Sequence, residues 1–133
     1  MRYVEQFLIA GVLMGAIDGV WLSFVADRFY KSQVGALLRQ KPNMGAAMVF
    51  YVLYLIGLVV FVIHPAVNTG SLASTMAYGG LFGLVAYGTY DLTNLATLKS
   101  WPLKLVIVDM VWGTFLTSVV AGLAYCLALA WGL

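Results

Sequence analysis

Charged residues are scarce in this chain. Only 9% of its 133 residues are Asp, Glu, Lys or Arg, whereas 63% are hydrophobic. A soluble domain carries about 25% charged residues, so this chain has too few polar groups to cover a surface that faces water. A net charge of +2, with no basic face to bind phosphates, also argues against nucleic acid as a partner. The composition therefore predicts an integral membrane protein.

Cysteine and histidine are almost absent as well. The single cysteine, Cys126, excludes an internal disulfide and a CxxC site, and we expect it to be a small buried hydrophobe. The single histidine, His64, precedes Pro65 and is expected at the membrane interface, on the face opposite the acidic residues. The sequence also lacks an HExxH motif, a GxSxG motif and a glycine-rich phosphate loop. No catalytic residue, no metal and no other cofactor is therefore predicted.

Long apolar runs are present instead, and they predict an all-α fold with four transmembrane helices in one bundle. Residues 1–133 form a single transmembrane domain with spans at about 4–26, 44–64, 71–92 and 103–131. The first run is interpreted as a retained helix rather than a signal peptide. It is longer than the apolar region of a signal peptide, about 7–15 residues, and it carries Asp18.

Glycines recur in two of these runs. Gly11, Gly15 and Gly19 are four residues apart and therefore line one stripe of a helix, where another backbone can approach closely. The third run is also rich in glycine, including Gly79 and Gly83. We predict that these glycine faces pack helices together, either within one chain or between the chains of a homo-oligomer.

Basic residues are concentrated on one side of the predicted bundle. Six of the seven lie between spans one and two or near the start of span four: Arg28, Lys31, Arg39, Lys41, Lys99 and Lys104. By the positive-inside rule, these links are cytoplasmic, and the N- and C-termini are periplasmic. The basic segment 27–43 suits an amphipathic stretch in the headgroup layer. A gate or a site for anionic lipids is its alternative interpretation.

Three acidic residues are predicted in the cytoplasmic half of the membrane. Asp91 ends span three, Asp109 lies about 9 Å into span four, and Asp18 lies about 12 Å from the cytoplasmic end of span one, at 1.5 Å per residue. A charged group inside the membrane costs about 2.5–3.5 kcal/mol on insertion scales. These carboxylates should therefore face other helices or a cavity, and in a compact bundle they could meet.

The surroundings of two of these aspartates are repeated. Residues 17–21 read I-D-G-V-W and residues 108–112 read V-D-M-V-W. In each segment, aspartate and tryptophan are three apart and share a helix face. The two helices would run in opposite directions, which suits an inverted arrangement around a site. The neighbours of Asp91 at helical spacing are hydroxyl and amide side chains. The predicted ligand- and proton-binding residues are Asp18, Trp21, Tyr87, Tyr90, Asp91, Asn94, Asp109 and Trp112.

Carboxylates beside aromatic rings suggest what such a site would bind. Charge and cation–π attraction together hold an organic cation, and clustered carboxyl groups can share a proton. We therefore expect the protein to bind or carry a small amphiphilic or cationic molecule, with proton coupling as one mode of transport. The alternatives are a membrane enzyme or accessory subunit acting on lipids, and a structural or interaction subunit. Lys99 and Lys104 would either pair with Asp91 and Asp109 or hold a phosphate headgroup.

Residues 90–104, Y-D-L-T-N-L-A-T-L-K-S-W-P-L-K, are followed by V-D-M-V-W-G-T at 108–114. These two sequence segments resemble those of the bacterial predicted membrane proteins grouped as domain-of-unknown-function family 2177. The resemblance extends over essentially the whole chain, including the segment from Asp18 to Trp21. It implies a multi-pass protein of the bacterial inner membrane, surrounded by membrane lipids, and it assigns no catalytic residue.

Overall fold

The computed structural model describes residues 2–133, and most of these residues are helical, with no strand among them. In chain order the elements are α1 (Arg2–Trp21), a π-helical turn (Leu22–Ala26), α2 (Asp27–Val34), a 3-10 turn (Gly35–Leu37), α3 (Met44–Leu58), a second π-helical turn (Val59–Ile63), α4 (His64–Thr69), α5 (Leu72–Thr97) and α6 (Leu103–Ala130). The predicted all-α class is therefore confirmed.

Three helical stretches are long and apolar enough to cross a membrane: Arg2–Leu37, Met44–Thr69 and Leu103–Ala130. The first joins α1 to α2 through a π-helical turn, and the second joins α3 to α4 in the same way. Helix α5 has 26 residues, about 39 Å at 1.5 Å per residue, but its glycines, threonines and tyrosines make it less apolar. Three of the four predicted spans are thus supported as membrane-crossing helices.

Several helix ends lie beyond the predicted boundaries. The first helical stretch continues past residue 26 to Leu37, and α5 continues past residue 92 to Thr97. The link between the second and third predicted spans is helical through Thr69. Pro65 does not break this helix, because a π-helical turn directly before it accommodates a residue that lacks an amide N–H.

Helix α6 is the central helix of the bundle. Half of the residues in its 18-residue apolar segment are buried, against 17% in the corresponding segment of the first stretch. It packs along α5 and against α1. The Gln6 side chain near the start of α1 donates a hydrogen bond of 3.1 Å to the carbonyl of Leu133, so α1 and α6 run antiparallel. The buried apolar core includes Ala10, Met14, Leu58, Ile63, Leu116 and Val120.

Glycines allow α5 and α6 to approach closely. A Cβ atom on Gly83 would collide with the carbonyl oxygen of Gly113 and with the side chain of Thr117. A Cβ atom on Gly79 would lie 2.7 Å from the Cβ atom of Ala121. The packing role that we predicted for Gly79 and Gly83 therefore operates between two helices of one chain.

The glycines of α1 have more open surroundings. A Cβ atom on Gly15 or Gly19 would meet no atom within 4 Å, and one on Gly11 would meet only Leu55, at 3.4 Å. This stripe is therefore not fully used for packing inside the chain. A homo-oligomer formed through it stays a prediction.

The single cysteine and the single histidine lie on different parts of the bundle. Cys126 is exposed, so the expectation that it is buried was wrong. It shares the outer face of α6 with Leu123, which is 44% exposed. His64 stacks on Tyr3, with ring centroids 4.0 Å apart, and its Nδ1 hydrogen-bonds to Oε1 of Gln6 at 3.2 Å. His64 thus lies at the end of the bundle where α1 begins.

Candidate functional site

Asp18 of α1 is buried and accepts hydrogen bonds from two other helices. The hydroxyl of Tyr51 on α3 donates to its Oδ2 atom. The indole Nε1 of Trp112 on α6 donates to its Oδ1 atom at 3.2 Å. Such bonds reduce the cost of placing a carboxylate inside a membrane. Asp18 therefore joins three helices.

The two repeated Asp-x-x-Trp segments meet in the fold. Trp21 stacks on Trp112 with ring centroids 4.3 Å apart and an angle of 8° between the ring planes. In the second segment, Asp109 accepts a hydrogen bond from the hydroxyl of Tyr30 on α2. Each aspartate of the repeat thus binds a tyrosine hydroxyl, and the two tryptophans bind each other.

Asp91 of α5 has no comparable partners. Its side chain is completely buried, and neither carboxylate oxygen receives a hydrogen bond from any residue in 2–133. Asp109 of α6 lies near it, because both residues line the same cavity. Two carboxyl groups can form a hydrogen bond only when one of them carries a proton. One proton shared between two neighbouring carboxyl groups also relieves the repulsion between their charges.

A cavity of about 590 Å³ opens beside this pair. It lies between α2, the end of α5, the loop after α5 and the start of α6. Its polar and aromatic lining residues are Tyr30, Tyr90, Asp91, Asn94, Trp101 and Asp109. The rest of its wall is apolar: Val34, Leu37, Leu38, Leu98 and Leu105. We call this space the carboxylate cavity.

Trp101, in the loop between α5 and α6, adds an unpaired donor to the carboxylate cavity. Its Nε1 atom is buried and finds no acceptor within residues 2–133, and its ring lies edge-on to Tyr90 with centroids 6.0 Å apart. Folded proteins leave few buried polar groups unpaired. An unpaired donor on Trp101 and unpaired acceptors on Asp91 at one cavity indicate a site for a polar ligand.

Asp109 also borders a second, smaller cavity of about 340 Å³. Its lining residues are Phe50, Ala86, Tyr87, Tyr90 and Asp109. The Tyr87 ring fits against α6 because Gly113 opposite it has no side chain. Three aromatic rings and one carboxylate suit an organic cation. We call this space the aromatic cavity.

The structure divides the predicted site residues into two sets. Tyr87, Tyr90, Asp91, Asn94 and Asp109 line the carboxylate cavity, the aromatic cavity or both. Asp18, Trp21 and Trp112 form the joint between α1 and α6 and line neither cavity. In the part of the chain that the structure describes, no three Asp, Glu, His or Cys side chains converge as a metal ion would require. The three aspartates therefore do not form one cluster.

Sequence reasoning did not select three residues that contribute to these sites. Tyr30 lies in the segment that we assigned to the headgroup layer, Tyr51 lies in an uncharged span, and Trp101 lies beside a proline at a membrane boundary. Spacing offered one signal, since Tyr51 and Tyr54 are three residues apart on α3. Both bind a side chain of another helix, and the Tyr54 hydroxyl lies 2.5 Å from Oγ1 of Thr117.

The lysines near the carboxylate cavity do not neutralise its aspartates. Across residues 2–133, the only ion pair joins Lys31 to Asp27, at 3.3 Å on the exposed face of α2. Lys99 and Lys104 are exposed and pair with neither aspartate of the cavity. We considered two roles for these lysines, and the first, pairing with Asp91 and Asp109, is absent from the structure of residues 2–133.

A larger groove lies elsewhere, on the outer faces of α5 and α6, and measures about 740 Å³. Its lining is almost entirely apolar and includes no charged residue. Its two hydroxyl groups, on Thr114 and Ser118, donate to backbone carbonyl oxygens. This groove suits a lipid chain rather than polar recognition, so the carboxylate cavity is the stronger candidate despite its smaller size.

The model of a family described as predicted membrane protein (DUF2177) matches residues 3–126. No curated protein and no solved structure matches the chain. The matched range includes both Asp-x-x-Trp segments and every residue that lines the two cavities. The chain therefore belongs to the DUF2177 family of predicted membrane proteins, as the motif at 90–104 indicated.

Proposed function

We propose that this protein binds a small cationic amphiphile in the carboxylate cavity and carries it in exchange for a proton. The observation that carries the proposal is the state of Asp91, which is fully buried, receives no hydrogen bond from the described residues and lines one cavity with Asp109. A charge at membrane depth costs about 2.5–3.5 kcal/mol. No hydrogen bond within residues 2–133 offsets that cost for an ionised Asp91, so the ionised state needs a ligand, and the state without a ligand needs a proton.

An organic ammonium ion fits the groups that surround this pair. It supplies positive charge and N–H donors to the carboxylates of Asp91 and Asp109, and such charge-assisted hydrogen bonds are the strong ones. The rings of Tyr87 and Tyr90 in the adjoining aromatic cavity add cation–π attraction. The leucines of the carboxylate cavity provide an apolar path for a hydrocarbon tail. The combined site favours a ligand with a cationic head and an apolar chain.

Proton exchange follows from the same two carboxyl groups. Without a ligand, one proton held between Asp91 and Asp109 relieves the repulsion between them. A bound cation makes that proton unnecessary, because its own charge balances the ionised pair. Binding should therefore release a proton, and the return of the proton should release the ligand. This alternation is what a proton-coupled carrier requires.

Calorimetry with a matched pair of amphiphiles tests the proposal. Purified protein in a nonionic detergent is titrated with dodecylamine, which is cationic at neutral pH, and with dodecanol, which has the same chain and no charge. We expect the amine to bind and release about one proton per ligand, detected with a pH indicator. Asp91→Asn and Asp109→Asn should lose both signals, whereas Arg2→Gln, at the far end of the bundle, should keep them. Equal binding of the two amphiphiles to wild type and Asp91→Asn would overturn the proposal.

The proposal includes an arrangement in a bacterial inner membrane, with α5 as a fourth span and both termini periplasmic. Helix α5, about 39 Å long at 1.5 Å per residue, exceeds the hydrocarbon thickness of about 30 Å. It pairs along α6, which is itself long and apolar enough to cross. Six basic residues lie at the end of the bundle where α5 ends and α6 begins, which the positive-inside rule places in the cytoplasm. The carboxylate cavity would then open on the cytoplasmic side.

Cysteine labelling tests this arrangement. Replacing the only cysteine by Cys126→Ala gives a background in which Asn68→Cys or Ser100→Cys, on either side of α5, introduces one exposed thiol. A membrane-impermeant maleimide should label Asn68→Cys in cells with a permeabilised outer membrane. It should label Ser100→Cys only after the inner membrane is opened. The reverse pattern would invert the topology, and labelling of both in closed cells would exclude α5 as a fourth span.

A further inference from the structure

Exposed basic residues adjoin the wall residues of the carboxylate cavity in the chain. Three leucines of the apolar wall are each followed or preceded in the chain by an exposed basic residue: Leu38 by Arg39, Leu98 by Lys99, and Leu105 by Lys104. None of these three basic residues forms an ion pair within residues 2–133. The carboxylate cavity thus has two aspartates in its lining and three exposed basic residues next to its wall leucines in the chain, and we call these three basic residues the rim.

This arrangement of charges matches a zwitterionic ligand, whose headgroup carries one positive and one negative group. An ammonium group at the tip would reach Asp91 and Asp109, and a phosphate behind it would lie among the basic residues of the rim. The Nε1 atom of Trp101, which is buried and unpaired, can donate to a phosphate or ester oxygen between them. A purely anionic headgroup is disfavoured, because it would bring a second negative charge against the carboxylates.

The hydrogen-bonding capacity of Asp91 indicates which kind of ammonium headgroup the cavity should prefer. Both of its oxygens lack donors, and a buried acceptor left unpaired destabilises the protein. A primary ammonium group supplies three N–H donors, whereas a quaternary ammonium group supplies none. The site should therefore prefer an ethanolamine headgroup to a choline headgroup.

From these observations we infer that the carboxylate cavity binds the phosphoethanolamine headgroup of a membrane lipid. A cavity of about 590 Å³ is within the range of about 300–1,000 Å³ for ligand sites, which suits a headgroup. The acyl chains would extend out of the cavity between the helices, along the leucines of the cavity wall. This inference rests on the proposed function and specifies the ligand of the same site.

The test compares headgroups on the full chain in nonionic detergent. Dihexanoyl phosphatidylethanolamine, phosphatidylcholine and phosphatidylglycerol share one tail length, and their Kd values are measured by titration calorimetry beside that of dodecylamine. We expect phosphatidylethanolamine to bind about tenfold more tightly than each of the other three, the effect of one additional charge-assisted contact. Equal Kd values for the three phospholipids would overturn the inference.

A rim variant separates this inference from the proposed function. The triple change Arg39→Gln, Lys99→Gln and Lys104→Gln should remove the preference for phosphatidylethanolamine over dodecylamine and leave dodecylamine binding unchanged. Arg2→Gln is the control, since it removes one positive charge at the other end of the bundle. If the triple variant does not fold by circular dichroism, Lys99→Gln and Lys104→Gln are measured singly. A rim variant that folds and keeps the full preference would contradict the inference.

Two further outcomes have distinct meanings. Dodecylamine binding that depends on Asp91, without any preference among the phospholipids, would overturn the headgroup inference and still support the proposed cation site. Absence of binding by dodecylamine and by every lipid would overturn both. Glycerophosphoethanolamine, which has the same headgroup and no acyl chain, distinguishes the source of the ligand. If it binds as tightly as the lipid, the inferred lipid is replaced by a water-soluble phosphoethanolamine.

Discussion

Trp112 of α6 donates a hydrogen bond of 3.2 Å to Asp18 of α1. The ring of Trp112 also stacks on Trp21, which lies three residues after Asp18 on α1. The Trp112 side chain therefore donates a hydrogen bond to a buried carboxylate and also forms the aromatic contact between two antiparallel helices. Asp18 has a structural partner on each oxygen, whereas Asp91 has none. The buried acidic residues thus have separate roles, one in joining helices and one at the cavity.

Replacing Trp112 by phenylalanine should weaken the joint between α1 and α6. The change removes the N–H donor to Asp18 and reduces the stacked area, so we expect the free energy of unfolding to fall by about 1–2 kcal/mol. Thermal unfolding in detergent, followed by circular dichroism, measures the effect. Trp131→Phe is the matched control, because Trp131 is 62% exposed. Equal stability of the two variants would show that the Trp112 contact contributes nothing.

The two aspartates should respond in opposite directions to the same substitution. Asp91→Leu replaces an unpaired buried carboxyl by an apolar side chain of similar size, and it should raise the stability by about 1–3 kcal/mol while abolishing amine binding. Asp18→Leu leaves Tyr51 and Trp112 without their acceptor and should lower the stability. Unfolding and dodecylamine binding are measured on both variants. If Asp91→Leu is as unstable as Asp18→Leu, Asp91 is a structural residue.

Glycine substitutions should distinguish the contact inside the chain from the open stripe on α1. Gly83→Ala would force a Cβ atom into the backbone of α6 at Gly113, and we expect a loss of about 1–3 kcal/mol. Gly15→Ala meets open space and should cost no stability, because alanine is the better helix former. Cross-linking in membranes is then compared for both variants. A homo-oligomer that is lost in Gly15→Ala alone would support the predicted stripe, whereas unchanged oligomers in both would exclude it.

The sequence was sufficient to predict the helices and insufficient to predict how each helix is rotated about its axis; the common depth of the three aspartates stays a prediction. The apolar runs predicted the helices, and the rise per residue predicted that Asp18, Asp91 and Asp109 lie in the same half of the membrane. Which of them meet is decided by how each helix is turned about its axis. Asp18 contacts α3 and α6, whereas Asp91 and Asp109 line one cavity.

The wall of the cavity was still harder to predict. Tyr30 and Trp101 lie 71 positions apart in the chain (101 − 30) and reach the cavity from α2 and from a loop. Neither position shows a periodic pattern, because α2 is short and the loop has no helical spacing. Trp101 beside Pro102 also matches the ordinary position of tryptophan at a membrane boundary. Only the folded contacts distinguish a cavity residue from an interfacial one.

Tyr54 offers a test of how the aromatic cavity is supported. Its hydroxyl hydrogen-bonds to Thr117, and its ring meets Tyr87 edge-on with centroids 6.3 Å apart. Tyr54→Phe removes the hydroxyl and keeps the ring. In a double-mutant cycle with Thr117→Val, the coupling energy should be about 0.6 kcal/mol, the average for hydrogen bonds between membrane helices. Dodecylamine binding should be unchanged in Tyr54→Phe, because Tyr87 keeps its support.

Tyr54→Ala should behave differently, because it removes the ring against which Tyr87 packs. We expect Tyr87 to move into the space that is left, so the cation–π attraction is lost and dodecylamine binds several-fold more weakly, by about 0.5–1 kcal/mol. Phe61→Ala, at a side chain that is 73% exposed on the same helical stretch, controls for the loss of an aromatic ring. If Tyr54→Ala and Phe61→Ala bind the amine equally well, Tyr87 does not contribute to cation binding, and the ligand contacts only the carboxylate cavity.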